Sequence, residues 1–407
     1  MTLPSETDRA EGRASLAFLV FLALMTSVIA LTIDAVLPAL DAISADLAFA
    51  EANDRHLVVL LVFAGMGLSQ LVFGTLADSI GRKRAALAGW AIYVAGTVVA
   101  LAAVSPAMMF AGRFLQGFGA GGPRIVAMAI VRDLYEGRAM ARILSMVLTI
   151  FMAVPMFAPL IGQGIAALGG WRAIFALYLA LALVSGGWYL FAMPETLRPE
   201  HRRPPGLAPL LGAIREVVTN RVAMCYTASA VCVFAPFVVY LATAQQVLEE
   251  LYGLGPWFPL AFGALALAFA SATFLNSRLV MRVGMRRLSI LGLGTMTGTS
   301  ALALALMTLT PMAGVPPFWL FMGLMAVVFF CVAILFSNFN ALALQPLGHV
   351  AGTASAVVMS MATLGAAPAG FLIARGFDGS LTPMFTGYFL LGLVGVAAMG
   401  LAEGGRR

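Results

Sequence analysis

Long apolar runs recur along this chain and leave little room for anything else. Twelve of them lie at residues 16–39, 56–77, 85–104, 107–131, 141–166, 173–193, 222–246, 257–280, 288–309, 317–341, 350–374 and 383–402. Each is close to the ~20 residues that a helix needs to cross the hydrocarbon core of a bilayer. A chain patterned this way cannot cover itself with water-compatible surface. Only 10% of its 407 residues are charged, against roughly 25% in soluble domains. Helices satisfy their own backbone groups in lipid, so the reading is an all-α membrane protein with twelve transmembrane helices.

Charge placement orients the chain. With the N-terminus inside, nineteen of the 24 Lys and Arg residues fall in cytoplasmic segments, three outside (Arg55, Arg172, Arg375) and two within the membrane (Arg113, Arg124). That bias puts both termini in the cytoplasm. It also accounts for the net charge of +6 without a nucleic-acid partner. The first fifteen residues mix acids with arginines and lack the basic start of a cleaved signal peptide. They are expected to be a cytoplasmic tail, and the first span a retained helix. Cys225, Cys232 and Cys331 sit in apolar spans without metal-ligand spacing, and read as buried bystanders. No metal site is expected.

The spans divide six and six about a Pro-rich basic linker at 194–220, whose part 207–218 has the pattern of a short amphipathic helix. This gives an N-terminal half at 16–193, a C-terminal half at 221–402 and a cytoplasmic tail at 403–407. The halves echo one another. GTLADSIGRKRAAL, at 74–87, shifted by 203 residues falls on SRLVMRVGMRR at 277–287. Leu76 matches Leu279, Gly81 matches Gly284, and Lys83-Arg84 match Arg286-Arg287, whereas Asp78 becomes Met281. The second copy keeps the turn and the cations and loses the carboxylate. Duplicated parallel halves are a transporter architecture.

GTLADSIGRKRAAL resembles the signature loop between the second and third helices of the major facilitator superfamily, G-x-L-a-D-r-x-G-R-[RK]-x-x-l. Arg113-Phe-Leu-Gln-Gly117 is similar to that superfamily's R-x-x-Q-G motif, and the fourth span ends in AIVRD (129–133). Pro155 and Pro159-Leu-Ile-Gly162 resemble the Pro/Gly motif of antiporters, with Ala158 where glycine is usual. IDAVLPAL (33–40), GGWRAIF (169–175), PETL (194–197), FLNSRLVMRVG (274–284) and HVAGTASA (349–356) are similar to the bicyclomycin/chloramphenicol-resistance (Bcr/CflA) group of drug:proton antiporters. The resemblance implies the major facilitator fold with pseudo-symmetric halves. It also implies a monomer in the bacterial inner membrane that exports small amphipathic drugs in exchange for protons by alternating access. No cofactor beyond the proton gradient is implied. Relatives can carry a further acid two turns before the Asp34 position, where this chain has Thr26, so uncharged antibiotic-like substrates are as well supported as cationic ones. The alternative reading is a proton-coupled exporter of a metabolite such as an amino-acid derivative or a sugar.

Asp34 is the acid placed well within lipid depth, about 9 Å below the outer end of its span at 1.5 Å per residue. A charge there costs ~2.5–3.5 kcal/mol on insertion scales, which marks it as functional. Arg113 lies about 10 Å below the outer start of the fourth span on the same rise. In the resembled fold both spans line the central cavity, so Asp34 and Arg113 are expected to meet as the proton-coupling pair; a static ion pair fixing helix packing is the alternative. Arg113 can bias the carboxylate or contact substrate but cannot carry the proton, because guanidinium stays protonated. Arg124 follows eleven residues later, about 20° away around an ideal helix. It can meet an anionic group of a substrate, or snorkel to the cytoplasmic interface. Gln116, Gln163, Tyr240 and Asn338 join Asp34, Arg113 and Arg124 as candidate substrate contacts, with Phe234, Phe237, Phe329 and Phe330 as a candidate apolar surface.

In the signature loop, Gly74, Asp78, Gly81, Arg82 and Arg132 are the candidate conformational gate. The resemblance implies that Asp78 engages a basic residue of its own half, Arg132 or Arg82, and the start of the eleventh span when the cytoplasmic side is closed. Pro155, Pro159 and Gly162 are candidates for helix flexing. An intramembrane enzyme is excluded by pattern: His56, His201 and His349 fall at span ends or in loops, without an embedded Ser–His or paired-Asp arrangement.

Overall fold

The computed structural model describes residues 15–197, 200, 202, 208–309 and 312–404. Residues 1–14 of the expected tail at 1–15, residues 405–407 and most of the stretch between 198 and 207 lie outside the described residues. The described chain is helical, without strands, and its α-helices are numbered in chain order. Those of the first part are α1 (Leu16–Asp34), α2 (Leu40–Asp46), α3 (Leu57–Ser79), α4 (Arg82–Leu101), α5 (Pro106–Leu134) and α6 (Gly137–Ala192). The linker carries α7 (Ala208–Thr219), where an amphipathic helix was expected. Then follow α8 (Arg221–Gln245), α9 (Phe258–Val283), α10 (Met285–Leu309), α11 (Phe318–Leu344), α12 (Ala351–Arg375) and α13 (Thr382–Glu403).

Eleven helical stretches are long and apolar enough to cross a membrane. One of them belongs to α6, whose 56 residues would rise about 84 Å at 1.5 Å each, far more than a bilayer spans. The helix in fact breaks at Gly169 (φ −144°) and Gly170 (φ +69°, ψ −177°), the second of which has a backbone conformation that only glycine accommodates easily. The break falls between the expected fifth and sixth spans, so α6 is two membrane helices and the spans number twelve. The turn aims Trp171 and Arg172 back at the start of the chain. Both donate to Asp46 Oδ2, at 3.1 and 2.6 Å, and Arg172 also reaches the Ala103 carbonyl at 3.0 Å.

Local chemistry sets several other boundaries. Ser15 and Ser105 accept the Phe18 and Met108 N–H groups as N-caps, and Asn220 caps α8 through Ala223. The first span is not one helix. α1 stops at Asp34, because Pro38 has no N–H for the Asp34 carbonyl, and the chain continues through a 3₁₀ turn at Leu37–Ala39 into α2.

The chain forms two compact units. One comprises 1–50 and 61–210, the other 51–60 and 211–407. In the first, α4 packs along α5, and α1 lies against α5 and α6. In the second, α8 packs against α11, α12 and α13, while α10 joins α11 to α13. Residues 51–60, expected in the first half, cluster with the second unit for a specific reason. Asn53 donates to the Arg375 and Phe377 carbonyls at 2.9 and 3.0 Å. Arg55 grips Glu250 through two nitrogens at 2.6 and 3.1 Å. The buried His56 ring meets the Gln246 amide at 2.5 Å.

The half-chain echo has the same backbone form twice. Gly81 (φ +101°, ψ 157°) turns α3 into α4, and Gly284 (φ +84°, ψ 147°) turns α9 into α10.

Candidate functional site

In the first unit the site grows from the broken end of α1. Arg113, fully buried on α5, donates through Nη2 to the Thr32 carbonyl at 2.8 Å and through Nη1 to Gln116 Oε1 at 2.9 Å. Its guanidinium also lies over the Phe175 ring, 5.7 Å from the centroid. Gln116 passes the connection on, donating to Thr97 Oγ1 at 3.0 Å, and the Thr97 hydroxyl is held by the Tyr93 carbonyl at 2.7 Å. Thr32 Oγ1 meets the Tyr93 hydroxyl at 2.5 Å, and the Tyr178 hydroxyl donates to the Leu31 carbonyl at 3.0 Å. Three neighbouring helices therefore hold the last turn of α1.

Asp34 closes that turn. It is 4% exposed, and among the described residues it makes no ion pair and no hydrogen bond. The expected meeting of Asp34 with Arg113 takes a different form. The guanidinium binds the backbone two residues upstream and leaves the carboxylate uncommitted. The reason is geometric: a carbonyl at a helix end lacks its usual partner, and a fork of N–H donors satisfies it well.

Gly162 packs on the residue after Asp34. A Cβ at that position would lie 1.9 Å from the Ala35 carbonyl oxygen, so glycine is required for this approach. Pro155 and Pro159 lie inside the same arm of α6. Gln163, next to Gly162, is half-buried. Arg124 sits half-buried on α5 directly after Pro123, its guanidinium 5.6 Å from the Phe151 ring centroid.

At the α3–α4 turn the signature loop forms an ion cluster. Arg82 pairs with Asp78 at 2.5 Å and with Asp133 at 3.0 Å. Of the two expected partners of Asp78, then, Arg82 is the one engaged. Arg132 is exposed, and among the described residues it makes no contact with Asp78. The next residue, Asp133, supplies the second carboxylate to Arg82. The Thr196 hydroxyl adds a bond to Asp133 at 3.1 Å. Gly74 lies one turn before Asp78 on α3.

Glu195 is the residue that motif reading missed as an actor. Its carboxylate accepts the Arg82 and Lys83 N–H groups at 2.9 and 3.2 Å, and those of Thr196 and Leu197 at 3.0 Å each. It thus caps the start of α4 from a distant part of the chain, where a negative charge also suits the helix dipole. It stands where a Gly81 side chain would be, 2.3 Å from a built Cβ. The available signal was PETL, noted as a motif without a role. In the second copy Met281 is 84% exposed and Arg286 lies 3.4 Å from Glu403, so the cluster is not repeated.

The second unit contributes an aromatic surface. Phe234 stacks on Phe336 with centroids 4.6 Å apart, and Phe237 meets Phe234, Phe269 and Phe329 at 5.2–5.7 Å. Tyr240 stands edge-on to Phe329 at 4.9 Å. Three of the four candidate apolar residues, Phe234, Phe237 and Phe329, are thus grouped with Tyr240 and Phe336, while Phe330 packs with Phe269, Leu279, Val280 and Val283 around Ala272, Leu288, Ala333 and Ile334. Asn338, buried on α11, accepts from Asn276 at 3.3 Å.

The profile of the Major Facilitator Superfamily matches residues 20–370. A bicyclomycin resistance protein homolog from Haemophilus influenzae is 27% identical over 382 residues, which make up 92% of this chain and 93% of that one. The multidrug resistance protein MdtL of Salmonella heidelberg is 36% identical over 176 residues, 43% of this chain and 44% of that protein. The solved structure of a D-xylose-proton symporter superposes with a TM-score of 0.70 at 16% identity, covering 95% of this chain and 97% of its own, a likeness of fold. With the signature cluster, the Arg113–Gln116 network and twelve spans in one chain, these matches have a single reading: the protein belongs to the major facilitator superfamily of membrane transporters.

Proposed function

We propose that this transporter exports small amphipathic drugs or antibiotics in exchange for protons, from the bacterial inner membrane and with both termini in the cytoplasm. The observation that carries the reading is Asp34: a buried carboxylate at a helix break, held in place by its neighbours yet bound by none of them. Such a group is open to a proton or to a polar group of the substrate, and competition between the two for one acid is the thermodynamic basis of exchange. Arg113 serves it by fixing the Thr32 backbone, with Gln116 as its support. The names of the relatives point the same way, toward drugs.

Substrate contacts are assigned to Asp34, Gln163 and Arg124 in the first unit, and to Tyr240, Asn338 and the aromatic group in the second. Asp78, Arg82, Asp133 and Glu195 form the cytoplasmic gate element, and Pro155, Pro159 and Gly162 let α6 bend as the halves rock. The chain acts as a monomer and needs no cofactor beyond the proton gradient.

The test is uptake into inverted membrane vesicles under an imposed pH gradient, with a panel of antibiotics and of metabolites. Antibiotic uptake driven by the gradient, and lost in Asp34→Asn with the protein still inserted, is the expected result. Gradient-driven accumulation by Asp34→Asn at the wild-type level would sink the coupling role.

A further inference from the structure

Two arginines lie at lipid depth on α5, and they differ in what surrounds them. Arg113 is bound by a carbonyl, an amide and an aromatic face. Arg124 has the face of Phe151 at 5.6 Å, and among the described residues it makes no ion pair and no hydrogen bond. It is partly accessible. The nearest acid further along its own helix is Asp133, nine residues on, or about 14 Å of rise. Asp133 is already taken by Arg82 and Thr196, and an arginine side chain is shorter than that rise. Snorkelling to that level is thus beyond its reach. An uncompensated cation at this depth is costly, and such residues mark substrate or ion pathways.

The surroundings suit one kind of ligand. A guanidinium presents a planar fork that matches a carboxylate bidentately. The Phe151 ring beside it offers an apolar surface, so the pair can take a negative head and the hydrophobic body next to it. Arg124 also shares a face of α5 with Arg113, about 16 Å away along the helix.

We propose that Arg124 and Phe151 form a subsite for the carboxylate of an amphipathic substrate, so that this transporter prefers anionic and zwitterionic compounds over their neutral counterparts. The proposal rests on the exporter reading and names the substrate class that the exporter would take.

The experiment is equilibrium binding to the full-length protein in lipid nanodiscs, with no gradient. The ligands are three carboxylates paired with their methyl esters: fusidate, dansylglycine and indole-3-acetate. Wild type should bind at least one carboxylate tenfold or more tightly than its ester. Arg124→Gln should abolish that preference, with the affinity for the acid falling to that for its ester. Should Arg124→Gln fail to fold, Arg124→Lys decides: it should cut the preference at least threefold, because an ammonium cannot form the fork. Equal binding of acid and ester by wild type, no binding of any carboxylate, or an undiminished preference in the variants overturns the subsite. Because no proton gradient enters, a failure of proton coupling would show only in the vesicle assay.

Discussion

The Nη2 atom of Arg113 lies 2.8 Å from the carbonyl oxygen of Thr32, two residues before Asp34. The arginine thereby holds the backbone that presents the acid, while the acid itself stays uncommitted. Removing the support should be felt before the charge is. Gln116→Ala deprives both Arg113 and Thr97 of a buried partner, at about 1–3 kcal/mol for each group left unsatisfied. Lower thermal stability in detergent, with transport falling in step, is the expected outcome. Arg113→Lys keeps the charge but loses the fork, and should reduce transport at least tenfold at normal expression.

A second prediction concerns helix approach. In Gly162→Ala the new methyl would sit 1.9 Å from the Ala35 carbonyl oxygen, and overpacking of this kind typically costs ~1–3 kcal/mol. Gly164→Ala, with nothing within 4 Å of its Cβ, is the matched control and should be neutral. Thermal unfolding of the two purified variants separates them. Equal melting would mean that α6 moves off α1 freely.

The Arg82 ion cluster makes an ordering. Glu195→Ala removes a cap from two N–H groups of α4 and two of its own segment, at ~1–2 kcal/mol by the cost of lost caps. Asp78→Asn weakens a pair whose acid is 40% exposed, an interaction in the 0–1 kcal/mol range. Glu195→Ala should therefore lower the melting temperature more, whereas Asp78→Asn should slow transport with little loss of stability. Normal turnover in Asp78→Asn would return the loop to a plain solvated turn.

The ion pairs near Asp46 and Arg55 differ in burial, and their mutants should differ accordingly. Glu250→Gln removes one charged partner of Arg55, whose side chain is 8% exposed, at about 1–2 kcal/mol after allowing for the half-exposed acid. Arg172→Gln opens a pair exposed at both ends, 44% and 47%, and should cost under about 1 kcal/mol from that pair. Unfolding in low and high salt reads both.

How much of this was legible beforehand follows from what each feature depends on. The spans, the six-and-six division and the Gly81/Gly284 echo were readable because apolar run length and glycine at a forced turn are local properties. The break in α6 at Gly169-Gly170 falls where the fifth and sixth spans were expected to separate, whereas the first span was expected as one helix although Pro38 stands in it. Asp34 was singled out by depth alone, since charge in lipid is costly wherever it points. The partner of Arg113 was not readable: Asp34 and the Thr32 carbonyl are two residues apart, and depth cannot distinguish them. Nor could spacing choose Arg82 over Arg132, or bring Glu195 to the start of α4, 113 residues away in sequence.

The amino-acid sequence by itself thus determined that this chain enters a membrane as twelve helices with one deep acid and two deep arginines. Hydrophobic length and the cost of buried charge do not need tertiary contacts to act. Only the tertiary structure decided which groups those charges meet. Hydrogen-bond partners are set within tenths of an ångström by how helices pack, and here glycine contacts, a proline-broken turn and a distant glutamate set that packing.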